Sequence, residues 1–248
     1  MSTIVATPAS RPRPELAPTA ATSFTADWSL LYRAAGIAAL VVLALMPLQI
    51  AVFVLWPPPT SAAEWFALFQ QNPAVGLMDM DLLLIVEYVL LGVFYLGLFN
   101  ILRKVRPALA ATFLLFEVLA VATYFASAVA FEMLAASGQW AAAGTELERA
   151  TALAVGQGLL LTWQGTAFSV SYVLAGAAML LAGVVMLRGG PFGKITAYAA
   201  IVGGALGLIP ASAGTVGLVA SLLSLIPLIA WLLGSGRVLL RFAAKEAA

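Results

Sequence analysis

The chain has 248 residues, of which 63% are hydrophobic and 9% charged, with a formal net charge of +1. Soluble domains run at roughly 45 to 50% apolar and about 25% charged, so the composition is that of a multi-pass membrane protein, and there is no basic field for nucleic acid. Cysteine and histidine are both absent, which removes disulfides, thiolate chemistry, HExxH metalloproteases and Ser-His-Asp hydrolases.

Met1 to Asp27 is rich in Pro, Ala, Ser and Thr, with Arg11 and Arg13, and buries too little apolar surface to order; a disordered cytoplasmic tail is expected. It does not read as a signal peptide, because the first apolar run starts late and is long. Trp28, Tyr32 and Arg33 form an interfacial collar before span one, Ala34 to Leu55, which Pro47 and Gln49 interrupt with a kink. Trp56 and the prolines at 57 to 59 end it. Ser61 with Glu64 is a capping box, and the aromatic segment that follows is too short to span, so a helix lying in the outer headgroup layer is expected up to Pro73.

Span two occupies Met78 to Arg106. It opens on Asp79 and Asp81, runs about 21 mostly apolar residues and closes on Arg103, Lys104 and Arg106. Basic residues flank the cytoplasmic ends of spans, so the acidic end faces out. Span three is read from Ala108 to Leu134, with Pro107 in its first turn. Thr145 and Glu148 make a second capping box, and Glu146 to Trp163 is read as an extracytoplasmic or interfacial helix leading into span four, Thr166 to Leu187. A crossing there would carry Arg237, Arg241 and Lys245 to the outside. Spans five, Ile195 to Ala211, and six, Val216 to Leu233, are joined by an uncharged hairpin around Ser212 to Thr215. With this layout eleven of the twelve Lys and Arg residues fall on the cytoplasmic side, Arg149 being the exception. Gly203 with Gly207, and Gly176 with Gly183, allow close helix approach; packing within the chain is favoured over a homo-oligomer face.

Few motifs carry chemistry. Gly189 to Lys194 is one residue short of a Walker A loop and lacks its hydroxyl residue, no GxGxxG occurs, and Ser212 has no base to take its proton. No motif calls for a cofactor. The informative set is acidic. Counting about 1.5 Å of rise per residue from the basic ends, Glu117 lies near mid-membrane, Glu87 about a turn higher, and Asp81, Asp79 and Glu132 near the outer surface. A carboxyl at the bilayer centre costs on the order of 2 to 4 kcal/mol and faces the bundle interior, a partner or a water-filled cavity. With no Lys or Arg inside the spans, Glu87 and Glu117 are expected to be protonated or hydrogen-bonded to hydroxyls and amides. Tyr124 shares the face of Glu117, Tyr95 that of Tyr88 beside Glu87, and Gln49, Thr123, Gln164 and Tyr172 complete the polar set. The runs LLLIVE and FLLFE, on spans of opposite direction, also echo an inverted repeat. Three readings compete for the acidic set: interhelical hydrogen-bond glue, a proton or small-solute path, and a divalent-cation-dependent enzyme acting on lipid at the outer interface. The non-enzymatic readings are favoured, and whether a metal binds is left open.

The run LYRAAGIAAL from Leu31, the Met46-Pro47 and Gln49 kink, the EWFALF segment from Glu64 and the acidic second span together resemble a family of bacterial multi-pass membrane proteins known only as a domain of unknown function. The resemblance implies a bundle of about six spans in a bacterial inner membrane and carries over no catalytic residues. The expected fold is therefore all-α: a polytopic transmembrane bundle of six spans, with a short interfacial helix after span one, an extracytoplasmic helix before span four, both termini cytoplasmic and membrane lipids as partners.

Overall fold

The computed structural model describes residues 28–246, so the tail expected over residues 1–27, with Arg11 and Arg13, lies outside the described residues. Those residues form ten helices: α1 (Ser29–Leu55), α2 (Ala62–Gln71), α3 (Pro73–Asp79), α4 (Leu82–Leu102), α5 (Pro107–Ser127), α6 (Ala130–Ala142), α7 (Glu146–Trp163), α8 (Thr166–Arg188), α9 (Lys194–Gly207) and α10 (Gly214–Glu246). The protein is an all-α helical bundle. Five stretches are long and apolar enough to cross a membrane: α1, α4, α5 running on through α6, α7 running on into α8, and α10. Both expected capping boxes are present; Ser61 accepts from the Glu64 amide and Thr145 from the Glu148 amide, while each glutamate reaches back to its cap residue. These hydrogen bonds hold both exposed carboxyls below the ordinary glutamate range.

The six helices of the bundle close into a ring. α1 packs on α4, α4 on α5, α5 on α8, α8 on α9, α9 on α10, and α10 returns to α1. Neighbours run antiparallel: Gly97 late in α4 lies against Ala35 early in α1, and Gly36 of α1 lies against Gly236 and Leu240 late in α10. Arg33, Arg103, Lys104, Arg106, Arg188, Lys194, Arg237, Arg241 and Lys245 consequently share one end of the ring, and Arg149 is the remaining basic residue among those described. At that end the Arg103 guanidinium sits 5.2 Å from the centre of the Trp28 ring.

Three expected boundaries are corrected. Span three does not run unbroken to Leu134: α5 stops at Ser127, whose hydroxyl donates to the Tyr124 carbonyl, and Ala128 is extended before α6 starts. No proline or glycine marks this break. Its cause is tertiary, because Ala130, Met133 and Ala136 turn aside to bury against Trp65, Phe66 and Phe69 of α2. α2 ends at Gln71, short of Pro73 as expected, and Pro73 itself starts α3, with Asn72 accepting from the Val75 amide. The expected fifth span is a 14-residue helix ending at Gly207, about 21 Å long and not among the five stretches long enough to cross a membrane, because Leu208 to Ala213 no longer follow the helix. The sixth runs on beyond Leu233 to Glu246.

α2, α3, α6 and α7 form a second, smaller core around Trp65, Phe66, Phe69, Met80 and Met133. This cap sits on the end of the ring opposite the basic one, since it is built from the segments following α1 and α5 and preceding α4 and α8. α7 packs on α6 and α2 and joins α8 through a break at Gln164 and Gly165, so it belongs to the cap and adds no helix to the ring.

The α8–α9 contact is backbone on backbone. A Cβ at Gly176 would lie 2.6 Å from the Gly207 carbonyl carbon, and one at Gly204 would lie 2.6 Å from the Gly176 oxygen. Neither neighbour is a side chain that can swing away. Gly176→Val is expected to lower stability by about 1–3 kcal/mol through overpacking, whereas Gly138→Ala, with open space around its Cβ, is expected to raise it by roughly 0.5–1 kcal/mol; thermal unfolding of the purified variants in detergent checks both.

Candidate functional site

Because the ring closes on itself with small residues at several contacts, side chains do not fill its centre. A cavity of about 410 Å³ remains, with walls from α1, α4, α5, α8, α9 and α10. Its wall is chiefly apolar, built from residues such as Val42, Met46, Leu91, Met179, Leu225 and Leu228. Into it come Gln49 from α1, Glu87, Tyr88 and Tyr95 from α4, Glu117 from α5, Tyr172 from α8, and Ser221 and Ser224 from α10. None of the lining residues is basic.

Helix pairing sets the depth of each carboxyl. The Tyr88 and Tyr124 rings stack with centroids 3.8 Å apart and planes 7° apart. That stack puts Glu87 opposite the turn carrying Tyr124, so Glu87 stands two turns above Glu117 rather than one, about 10 Å along the axis. Lower down, the Tyr95 hydroxyl pairs with the Glu117 carboxyl across α4 and α5. Glu87 and Glu117 are 5% and 2% exposed. Oε1 of Glu87, Oε2 of Glu117 and Oε1 of Gln49 are buried without a hydrogen-bond partner. A buried polar atom left unpaired costs about 1–3 kcal/mol, more when charged; with Nε1 of Trp231 at the floor also unpaired, four such atoms line one void, a substantial unmet demand. The Gln49 amide meets only the Met78 carbonyl, at 3.5 Å.

The floor of the cavity is sealed. Phe94 meets Trp231 edge to face at 5.2 Å, Tyr95 meets Phe113 at 6.0 Å, and Leu98 and Ile101 fill the layer beneath. Polar side chains reappear only nearer the basic end, where the Asn100 amide donates to the Tyr32 hydroxyl at 2.8 Å. The upper side wall is open. Pro47 is eleven residues beyond Gly36, and Pro227 nine before Gly236, so the contact that clamps α1 to α10 near the basic end places both prolines at a similar height. Both helices lose backbone hydrogen bonds there and are free to bend. Above that level Ile50, Leu218 and Leu222 line the cavity while being 47%, 55% and 57% exposed, so it reaches the apolar outer surface between α1 and α10.

The remaining acids sit elsewhere. Asp79 and Asp81 are buried beneath the cap, at the head of α4, and do not line the cavity. Asp81 has a left-handed φ of 69° and accepts the Trp163 indole N–H, which joins the end of α7 to the start of α4. Neither oxygen of Asp79 has a hydrogen-bond partner. Glu132 is exposed on the first turn of α6, and Gln164 is also exposed. Thr123 spends its hydroxyl on the Leu119 and Ala120 carbonyls of its own helix. Among the described residues no three acidic side chains gather as metal ligands do. Sequence reasoning missed the Asp81–Trp163 and Asn100–Tyr32 pairs, which join residues 82 and 68 positions apart; a lone amide in an apolar span is the one local signal for Asn100. Comparison with family models, curated proteins and solved structures finds no match.

Burial first, and then the neighbouring Asp81 charge, push the Asp79 carboxyl from its ordinary 3.8 up to about 7. Burial lifts Asp81 to about 6, against the lowering pull of the Trp163 hydrogen bond. Since both folded values exceed the unfolded ones, the folded protein holds more protons through this range, and stability is greatest at its acid end. The melting temperature is expected to fall between pH 5 and pH 8, with Asp79→Asn removing most of the slope and raising the pH 8 value on the order of 5 °C; melts in one detergent across that pH series check this.

Proposed function

We propose that this is a non-enzymatic membrane protein of the bacterial inner membrane that binds a small lipophilic solute in its central cavity, admitting it sideways from the bilayer. The carrying observation is the cavity itself, about 410 Å³ of mostly apolar space with polar groups at a few points and a gap facing the lipid between α1 and α10. Pockets for small organic ligands have this size and this sparse polarity, at roughly 300–1,000 Å³. A proton or ion path across the membrane is less well supported, because Phe94, Trp231, Phe113 and Leu98 seal the floor. The lipid-modifying alternative draws no support from Asp79 and Asp81, which are buried, and no three acidic side chains gather among the described residues.

The charge distribution supports an orientation with the basic end, and so both termini of the described chain, in the cytoplasm and the cap outside. A bundle of this kind also agrees with the resemblance to bacterial multi-pass proteins known as a domain of unknown function.

The test uses the whole protein, purified in detergent, and N-phenyl-1-naphthylamine, a neutral apolar fluorophore. Saturable one-site fluorescence enhancement is expected. Ala175→Trp, which places an indole in the cavity wall, is expected to weaken it at least tenfold, and Val173→Trp on the exposed face to leave it unchanged. Absence of saturable binding by the parent protein would sink the proposal.

A further inference from the structure

An apolar cavity alone does not choose among lipophilic solutes; its polar groups do. Those groups are acidic and aromatic: two carboxyls about 10 Å apart in height, with Tyr88, Tyr95 and Tyr172 beside them and Trp231 at the floor. Each carboxyl keeps one buried oxygen without a partner. Among the described residues none supplies the missing cation. Arg33, Arg103, Lys104 and Arg188 are exposed at the basic end, below the packed layer of Phe94, Leu98 and Phe113, and Arg149 is exposed on the cap.

We infer that the ligand of this cavity is a lipophilic organic cation, its positive centre held between Glu87 and Glu117 against the tyrosine rings and its apolar body against α10 and the upper half of α1. The inference rests on the proposed binding function and names the class of solute. Each alternative fails on a stated contact. An organic anion would find no basic side chain in a wall whose polar groups are carboxyl, phenol, hydroxyl, amide and indole. A neutral hydrocarbon would leave the buried oxygens unpaired. A bare metal ion needs several oxygens converging at 2.0 to 2.6 Å, and no group of three acidic side chains gathers that way among the described residues. A large organic cation asks less: its charge is spread, its hydration is weak, and it takes attraction from both carboxylate oxygens and the faces of aromatic rings. The apolar entrance at Ile50, Leu218 and Leu222 suits it too, since such a cation partitions into the bilayer and arrives from there.

The experiment compares two probes of nearly the same size and shape and opposite charge, labelled tetraphenylphosphonium and tetraphenylborate, on the full-length protein in detergent at fixed pH. Saturable binding of the phosphonium at least tenfold tighter than that of the borate is expected, with the phosphonium weakened at least tenfold in Glu87→Gln and in Glu117→Gln and unchanged in Glu132→Gln, which removes a carboxyl outside the cavity. Gel filtration and melting curves establish that each variant is folded; if one is not, the contrast between the two probes on the parent protein still decides. Equal binding of borate and phosphonium, or phosphonium binding unaltered in the folded glutamine variants, overturns the inference. If the neutral fluorophore binds while the phosphonium does not, the charge assignment alone falls. If neither binds, the proposed binding function falls with it.

Discussion

Two glutamates held inside a ring of apolar helices, with no basic side chain in reach among the described residues, are the constraint from which the rest of this molecule follows. A carboxyl surrounded by lipid-facing helices is costly unless something meets its oxygens. Tyr95 meets one oxygen of Glu117, while Oε1 of Glu87 is buried with no partner. The ring therefore cannot collapse onto its own axis without burying those groups still more deeply. The cavity is the space that this leaves, and Gln49, whose side-chain oxygen is also unpaired, marks its upper wall.

The same ring is tight where it is not required to be open. Glycines on α8 and α9 bring the two backbones into direct contact, so a helix of only 14 residues is secured along most of its length. Gly36 and Gly236 do the same for α1 and α10, but only near the basic end. Beyond that contact each helix carries a proline, and above the prolines the pair no longer seals. In lipid, helices hold together through close packing and a few polar contacts rather than through exclusion of water. Where small residues stop and prolines begin, that attraction weakens, and the gap opens on the side where the acids are.

How much of this was legible in the sequence follows from the range of the forces involved. The helices α1, α4 and α8 could be read directly, because a long apolar run bounded by Trp, Pro or Arg is a local signal. The two capping boxes were equally local, and both are present. The break at Ala128 was not legible, because it is imposed by α2 burying α6 and has no residue of its own. Glu87 and Glu117 can be picked out as ionisable groups in apolar runs, yet rise per residue alone places them one turn apart where pairing of α4 with α5 makes it two. Rise per residue gives depth along a single helix; only the Tyr88–Tyr124 stack gives the offset between them. Asp79 and Asp81 read as outward-facing for a related reason. Nothing in their neighbourhood announces that Trp163, 82 positions away, covers Asp81.

The cap and the opening belong together. α3 lies over the head of the cavity, with the Met78 carbonyl above Gln49, and the Asp81–Trp163 hydrogen bond ties the last cap helix to the first turn of α4. A solute approaching along the ring axis would have to part that second core, with Trp65, Phe66 and Phe69 fully buried in it. A solute already dissolved among the lipids meets only the exposed aliphatic side chains of Ile50, Leu218 and Leu222. Under the proposed binding function, partitioning into the bilayer would concentrate apolar molecules at this gap before any protein contact is made, so modest intrinsic affinity would suffice for occupancy. Selectivity would then fall to the few polar groups inside, and a closed axis with an open flank would place that choice at the two glutamates.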